Sequence, residues 1–233
     1  MNKYIEAIKS LDLESIKQQI ARDEKWLAWA EPTGKNALHY LCGLQLGENE
    51  EKAEQSLEIL TFLLSKGMDI NAVQGINDKG CDAFPATPLW YAYTRGRNKL
   101  LYKYLLKRGA APDNCWWAIA WYDDIDAAKL FLKHGADVSG QLDDLFIGAF
   151  AWKKYGFADW LLSMGANVNA TDPKGVTALI FAVKRKDEHE LTKLLSLGAD
   201  PDLSANDGMS AREIASSKGP KRLLNLLNDH RKG

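Results

Sequence analysis

The sequence predicts an all-α solenoid, a row of stacked helix-turn-helix units joined by short or irregular finger loops. Three observations carry this. A phrase that closes a helix recurs five times along the chain. A second phrase, which opens a helix, recurs upstream of it. Both ends of the chain have the apolar spacing of helices with one buried face and one wet face.

The closing phrase appears as LLSKGMDINA (63–72), LLKRGAAPDN (105–114), FLKHGADVSG (131–140), LLSMGANVNA (161–170) and LLSLGADPDL (194–203). Two apolar residues end a helix buried on one face. A glycine follows, where the chain turns left-handed and a Cβ would clash. The tail then leaves as an extended loop. The glycines are Gly67, Gly109, Gly135, Gly165 and Gly198, spaced by 42, 26, 30 and 33 residues. A fixed phrase at such a period is the mark of a repeat architecture.

The opening phrase appears as TGKNALHYLCG (33–43), ATPLWYAYTRG (86–96), DPKGVTALIFAVK (172–184) and NDGMSAREIAS (206–216). In the second of these Thr87 supplies a capping oxygen and Pro88 suits the first helical turn, where its missing N–H would be unpaired anyway. Small residues such as Ala92, Ala120, Ala149 and Ala182 let the first helix of a unit lie close to its neighbours.

A helix, a tight turn, a second helix, a glycine and a loop together resemble the ankyrin repeat. TPLW (87–90) and NALH (36–39) are similar to that family's unit start, and GANVNA (165–170) and GADPDL (198–203) to its unit end. The resemblance covers nearly the whole chain. It implies one domain over 1–233, with units at about 1–32 (an N-terminal cap), 33–74, 75–112, 113–139, 140–170, 171–203 and 204–233 (a C-terminal cap). Two segments depart from the pattern. GLQLGENEEKAEQS (43–56) is expected to lengthen the connection between the helices of the second unit, and VQGINDKGCDAF (73–84) to form a long finger. The short glycine spacings imply that the fingers entering the fourth and fifth units are nearly absent.

The caps follow from burial. A repeat cannot cover its apolar face alone, so the outer side of each end must be polar. In 1–32, Ile5, Ile8, Leu13, Ile16 and Ile20 are expected inward, with Lys9, Glu14 and Lys17 outward. At the other end Leu223, Leu224, Leu226 and Leu227 pack while Lys221, Arg222, Arg231 and Lys232 stay wet.

Composition narrows the function. The chain is 46% hydrophobic and 26% charged, with 30 basic against 31 acidic residues. A net charge of −1 gives no long-range attraction to nucleic acid or an anionic membrane. Cys42, Cys81 and Cys115 are odd in number and never in CxxC spacing, which argues for buried thiols rather than a disulfide frame or zinc site. The N-terminus lacks a signal-peptide core, and the longest apolar stretch, 145–152, is far too short to span a bilayer. A cytoplasmic protein is expected, monomeric when alone, with no cofactor.

No catalytic constellation or metal site is expected either. The histidines, His39, His134, His189 and His230, fall in different units. No HExxH, GxSxG, phosphate-loop or dinucleotide pattern occurs. The resemblance implies that the His39 ring bonds neighbouring loop backbone. Asp123–Asp124 and Asp143–Asp144 read as loop and capping residues.

The aromatics stand out, with eight tryptophans. Trp90 and Trp117 fall at the position of the family's histidine and are expected in the core. Trp160 belongs to a second helix, and Trp26 and Trp29 are expected to close the first cap. In the ankyrin pattern the residues after the paired small residues of the first helix line a concave groove. Carried over unit by unit, these are Arg95, then Trp121 and Tyr122, then Trp152 and Lys153, then Lys184 and Arg185. Trp, Tyr and Arg are the types that dominate binding hot spots. The alternative is that the shortened fingers fold over these rings.

The resulting expectation is a non-catalytic scaffold that docks a partner protein, acidic or mixed in surface, in its groove. A stand-alone inhibitor of the immunity-protein kind, neutralising a toxin or enzyme, is the second reading. A nucleic-acid binder using the basic and aromatic groove residues is the third.

Overall fold

The structure, a computed structural model, describes residues 2–76 and 84–229. Cys81, most of the finger at 73–84, and His230, Arg231 and Lys232 lie outside the described residues. Contacts group the chain into two compact units, one of residues 1–115 and 130–136, the other of residues 116–129 and 137–233.

The first unit holds helices α1 (Lys3–Ser10), α2 (Leu13–Arg22), α3 (Lys25–Ala28), α4 (Ala37–Cys42) and α5 (Glu50–Ser65). A two-stranded antiparallel finger follows, β1 (Gln74–Ile76) with β2 (Phe84–Ala86), then α6 (Pro88–Thr94) and α7 (Lys99–Lys107). Helices pair as α1 with α2, α4 with α5 and α6 with α7, while α1, α4 and α6 stack in a row. Side-chain oxygens start most of them. Asn2, Asp12, Asn36, Asn49, Thr87 and Asn98 each accept from amides of the first turn. Tyr4, Ile8, Ile16, Leu38, Leu41, Ile59, Leu60, Leu89, Leu101 and Leu105 are fully buried between the rows or nearly so.

The second unit holds α8 (Trp116–Tyr122), the start of α9 (Ile125–Lys133), α10 (Leu142–Ala151), α11 (Tyr155–Ser163), α12 (Ala178–Arg185), α13 (Glu188–Ser196), α14 (Ala211–Lys218) and α15 (Lys221–Asp229). Here α8, α10, α12 and α14 stack in a row, and α10–α11, α12–α13 and α14–α15 form the hairpins. Ser210 and Glu213 make a capping box at the start of α14. Leu223 and Leu227 of α15 are fully buried.

All five glycines of the closing phrase take positive φ, from 83° at Gly109 to 101° at Gly165. A Cβ there would meet nothing within 4 Å, so backbone conformation alone requires the glycine. A second left-handed turn, inside the helix pairs, is occupied by side-chain-bearing residues: Leu11, Arg97, Asp123, Lys153 and Lys186.

The fingers vary as the glycine spacings implied. Isolated bridges Ala30–Asn36, Thr171–Thr177 and Ser204–Ser210 close short fingers. Before α8 and α10 the finger is replaced by single 3-10 turns, Asp113–Cys115 and Ser139–Gln141. One expectation needs correction. Residues 43–56 are only partly a connection, because α5 begins at Glu50 and runs 16 residues. Asn49 caps it and Glu50 and Glu51 favour its positive end, so the second half of the insertion is added helix.

Candidate functional site

Helices α8 and α10, neighbours in the stacked row, bring together the residues of most interest. On α8, Trp117 and Trp121 are four residues apart and share one face. Trp152 caps the C-terminus of α10. Its ring meets Trp121 edge-on at 5.2 Å and Trp117 edge-on at 5.7 Å between centroids. The three indoles remain 44%, 52% and 38% exposed for Trp117, Trp121 and Trp152. The Lys154 ammonium lies 5.6 Å from the centre of the Trp121 ring, a cation–π position.

Three carboxylates fix the backbone around the rings. The Asp123 carboxylate accepts from the backbone N–H of Phe157 and sits against Gly156, tying the α8–α9 turn to α11. Asp124 caps α9 through the Ala127 N–H, and Asp143 accepts from the Asn167 N–H. Asp123, Asp124 and Asp143 are thereby structural anchors.

The groove residues named from sequence divide between the two units. Arg95 belongs to the first unit. It is exposed and lies 5.7 Å from the Trp90 ring centre. In the second unit Tyr122, Lys153 and Lys184 are exposed. Arg185, expected with them on the groove surface, is instead half-buried. Its guanidinium donates to the carbonyls of Phe150 at 2.8 Å and Ala151 at 2.6 Å. It also donates to the Tyr155 hydroxyl at 3.4 Å, which in turn donates to Asp187. Arg185 therefore neutralises the negative end of α10 and positions the segment that carries Trp152.

A second correction concerns the tryptophan pair at the start of α8. Trp116, not Trp117, is the core ring. It is 1% exposed, donates its Nε1–H to the Asp137 carbonyl at 2.9 Å and stacks on Trp160. The 3-10 turn that replaces the finger shifts the helix start by one residue relative to the family pattern. Trp90, expected in the core, is only half-buried, against Phe84, and Trp26 packs 5.4 Å from Tyr4. Sequence reasoning missed Trp117 and Lys154 as surface residues. The four-residue spacing of Trp117 and Trp121 was the available signal.

His39 occupies the histidine position of its unit. Its Nε2 bonds the carbonyls of Ala72 at 3.1 Å and Ala86 at 3.2 Å, holding both sides of the long finger. Burial depresses its pKa below the usual histidine range, with a smaller contribution from the Lys35 charge. Cys42 and Cys115 are buried, and burial pushes both thiols far above their usual range, out of reach of thiolate chemistry. Among the described residues no group of three or more His, Cys, Asp or Glu side chains is placed to hold a metal ion, and no helix is long and apolar enough to cross a membrane.

No family model matches the chain. A segment of 70 residues is 40% identical to human BCL-6 corepressor-like protein 1, covering 30% of this chain and 4% of that protein. A segment of 78 residues is 36% identical to the putative E3 ubiquitin-protein ligase XBAT34 of Arabidopsis thaliana, covering 33% of this chain and 21% of that protein. The matches thus span a small part of either relative. Two solved structures are similar over the whole length. The ankyrin repeat domain of Bcl-3, described as a unique member of the IkappaB protein family, superposes with a TM-score of 0.67 at 19% identity, covering 98% of each chain. The human ASB11 ankyrin repeat domain does so with a TM-score of 0.68 at 18% identity, covering 99% of this chain and 98% of that one. With its paired helices, left-handed glycine turns and bridged fingers, this chain has the ankyrin-repeat fold.

Proposed function

We propose that the chain is a protein-binding module whose partner docks on the tryptophan surface of the second unit. Ankyrin-repeat domains are in general protein–protein interaction modules. The observation that carries the finer reading is the trio Trp117, Trp121 and Trp152. Trp152 in edge contact with both Trp117 and Trp121, each of the three more than a third exposed, forms with them an apolar patch that a soluble protein keeps out of water when it can. Rigid aromatic anchors of this kind dominate interface energetics. Tyr122, Lys153 and Lys184 are proposed as flanking contacts, and Arg185 as the residue that holds Trp152 in place.

The test pairs stability with binding. Trp121→Ala and Trp152→Ala are compared with the parent for melting temperature and for retention of the native partner identified by co-purification. Each substitution is expected to lower stability only modestly, by about 1 kcal/mol at Trp121, which has one edge-to-face pair, and about 2 kcal/mol at Trp152, which has two. It is expected to weaken the complex by about 2 kcal/mol or more, roughly thirtyfold. Collapse of the fold would make the rings core. Undiminished binding would place the interface elsewhere.

A further inference from the structure

Away from the tryptophan surface, the first unit contains a pocket of about 580 Å³ between α1, α4 and α6. Lys9, Lys35 and Arg95 line it, with the rings of Tyr40 and Tyr91 between them. The Lys9 and Lys35 ammonium groups lie 4.8 and 4.3 Å from the centre of the same Tyr40 ring, and Lys35 lies 5.5 Å from that of Tyr91. The rings draw the cations to the pocket wall through their negative faces.

What these three cations, Lys9, Lys35 and Arg95, lack among the described residues is a carboxylate partner within ion-pair distance. The nearby Glu31 carboxylate accepts from the Tyr40 hydroxyl. Tyr91 donates its hydroxyl to Gln74. His39 also lines the pocket, but its Nε2 is taken by the two finger carbonyls. Three cations converge on one concavity, in a chain whose net charge is −1. Bringing like charges together on apolar walls is unfavourable unless a ligand of opposite sign fills the space.

We propose that this pocket binds an acidic peptide segment, with side-chain carboxylates set between Lys9, Lys35 and Arg95 and its methylenes against Tyr40 and Tyr91. The cations sit on long separate stems rather than converging as a fork or a backbone nest, which suits several spaced carboxylates better than one compact oxyanion. The volume falls in the range that holds a ligand of drug size, far more than a single phosphate fills. The aromatic and aliphatic walls provide apolar contact for the chain. The site lies wholly in the first unit and does not depend on the tryptophan surface.

Fluorescein-labelled hexaglutamate, followed by anisotropy against the full chain, tests the site. Binding is expected, weakening as salt rises, with none for labelled hexalysine. The double variant Lys9→Gln/Lys35→Gln is expected to bind about tenfold less tightly. The control Lys103→Gln/Lys107→Gln removes the same charge from the exposed face of α7 and is expected to change affinity by less than about twofold. Trp121→Ala is expected to leave hexaglutamate binding unchanged, so failure of one surface is separable from failure of the other. Equal losses in the two double variants would reduce the interaction to general electrostatics and overturn the proposal. So would an absence of hexaglutamate binding, or displacement of the peptide by inorganic phosphate at lower concentration than by free glutamate, which would mark a single-oxyanion site.

Discussion

A side chain on residue 148 would begin 2.6 Å from Cζ3 of Trp117. Gly148, in the middle of α10, is the floor on which that indole rests, and its missing Cβ lets Trp117 reach Trp152. Glycine inside a helix is unfavourable by roughly 0.5–1 kcal/mol relative to alanine, so the position sacrifices helix stability for ring placement.

Gly148→Ala tests that exchange. The alanine regains helix propensity but forces the indole aside, and overpacking typically costs about 1–3 kcal/mol. The expected net is a loss of about 1 kcal/mol, a drop in melting temperature of about 2–4 °C by calorimetry for a chain of this size. A variant melting above the parent would show that the indole moves away freely.

Arg185 and Lys184 are neighbours with different duties. Arg185→Gln removes a charged donor from two helix-end carbonyls and is expected to cost about 1.5 kcal/mol of stability. Lys184→Gln changes an exposed side chain and is expected within about 0.5 kcal/mol of the parent. Urea midpoints measured side by side decide this, and equal midpoints would contradict the capping role.

The turn glycines isolate a backbone effect. At Gly135, φ is 89° and a Cβ would touch nothing within 4 Å. Gly135→Val is expected to cost about 1–2 kcal/mol through the left-handed conformation alone, and Gly135→Asn less. Thermal melts of the two variants check the order. A valine variant as stable as the parent would mean the turn is not needed in this form.

Acid should loosen the long finger. His39 is held neutral by burial, so its folded pKa lies below the unfolded value of about 6.5. The unfolded chain then binds the extra proton first. The contribution of His39 is fully present above about pH 6.5 and is lost as pH falls from there toward the folded value. Urea midpoints of the parent are expected to fall between about pH 7 and pH 5. His39→Gln should be less stable at pH 7 and change less across that window. A parent midpoint that is flat over the window would contradict the buried neutral ring.

What sequence could reveal follows from which residues have few alternatives. Glycine is the usual solution to a left-handed turn in open solvent, so Gly67, Gly109, Gly135, Gly165 and Gly198 marked the unit ends. Thr87 and Pro88 announced a helix start because each suits that place for a physical reason. Trp116 and Trp117 could not be told apart, because the finger that would set the register is replaced by a 3-10 turn at Asp113–Cys115. The inner turns were also hidden. Asp123, Lys153 and Lys186 take φ of 56–60° with ordinary side chains, and residue identity does not advertise it. Arg185 misled because a long side chain at a surface register can reach back to carbonyls of a helix remote in sequence. The pairing of Lys9 with Lys35 over Tyr40 depends on the stacking of α1 against α4, which no local pattern encodes.

The edge-on packing of Trp117, Trp121 and Trp152 also makes the surface self-reporting. Indoles this close exchange excitation energy, and their emission colour follows how much water surrounds them. A partner that covers the trio would shift its emission to the blue and alter the coupling between the rings. Binding at this surface could then be followed optically on the unlabelled chain, as a change against the constant background of the other five tryptophans, Trp26, Trp29, Trp90, Trp116 and Trp160.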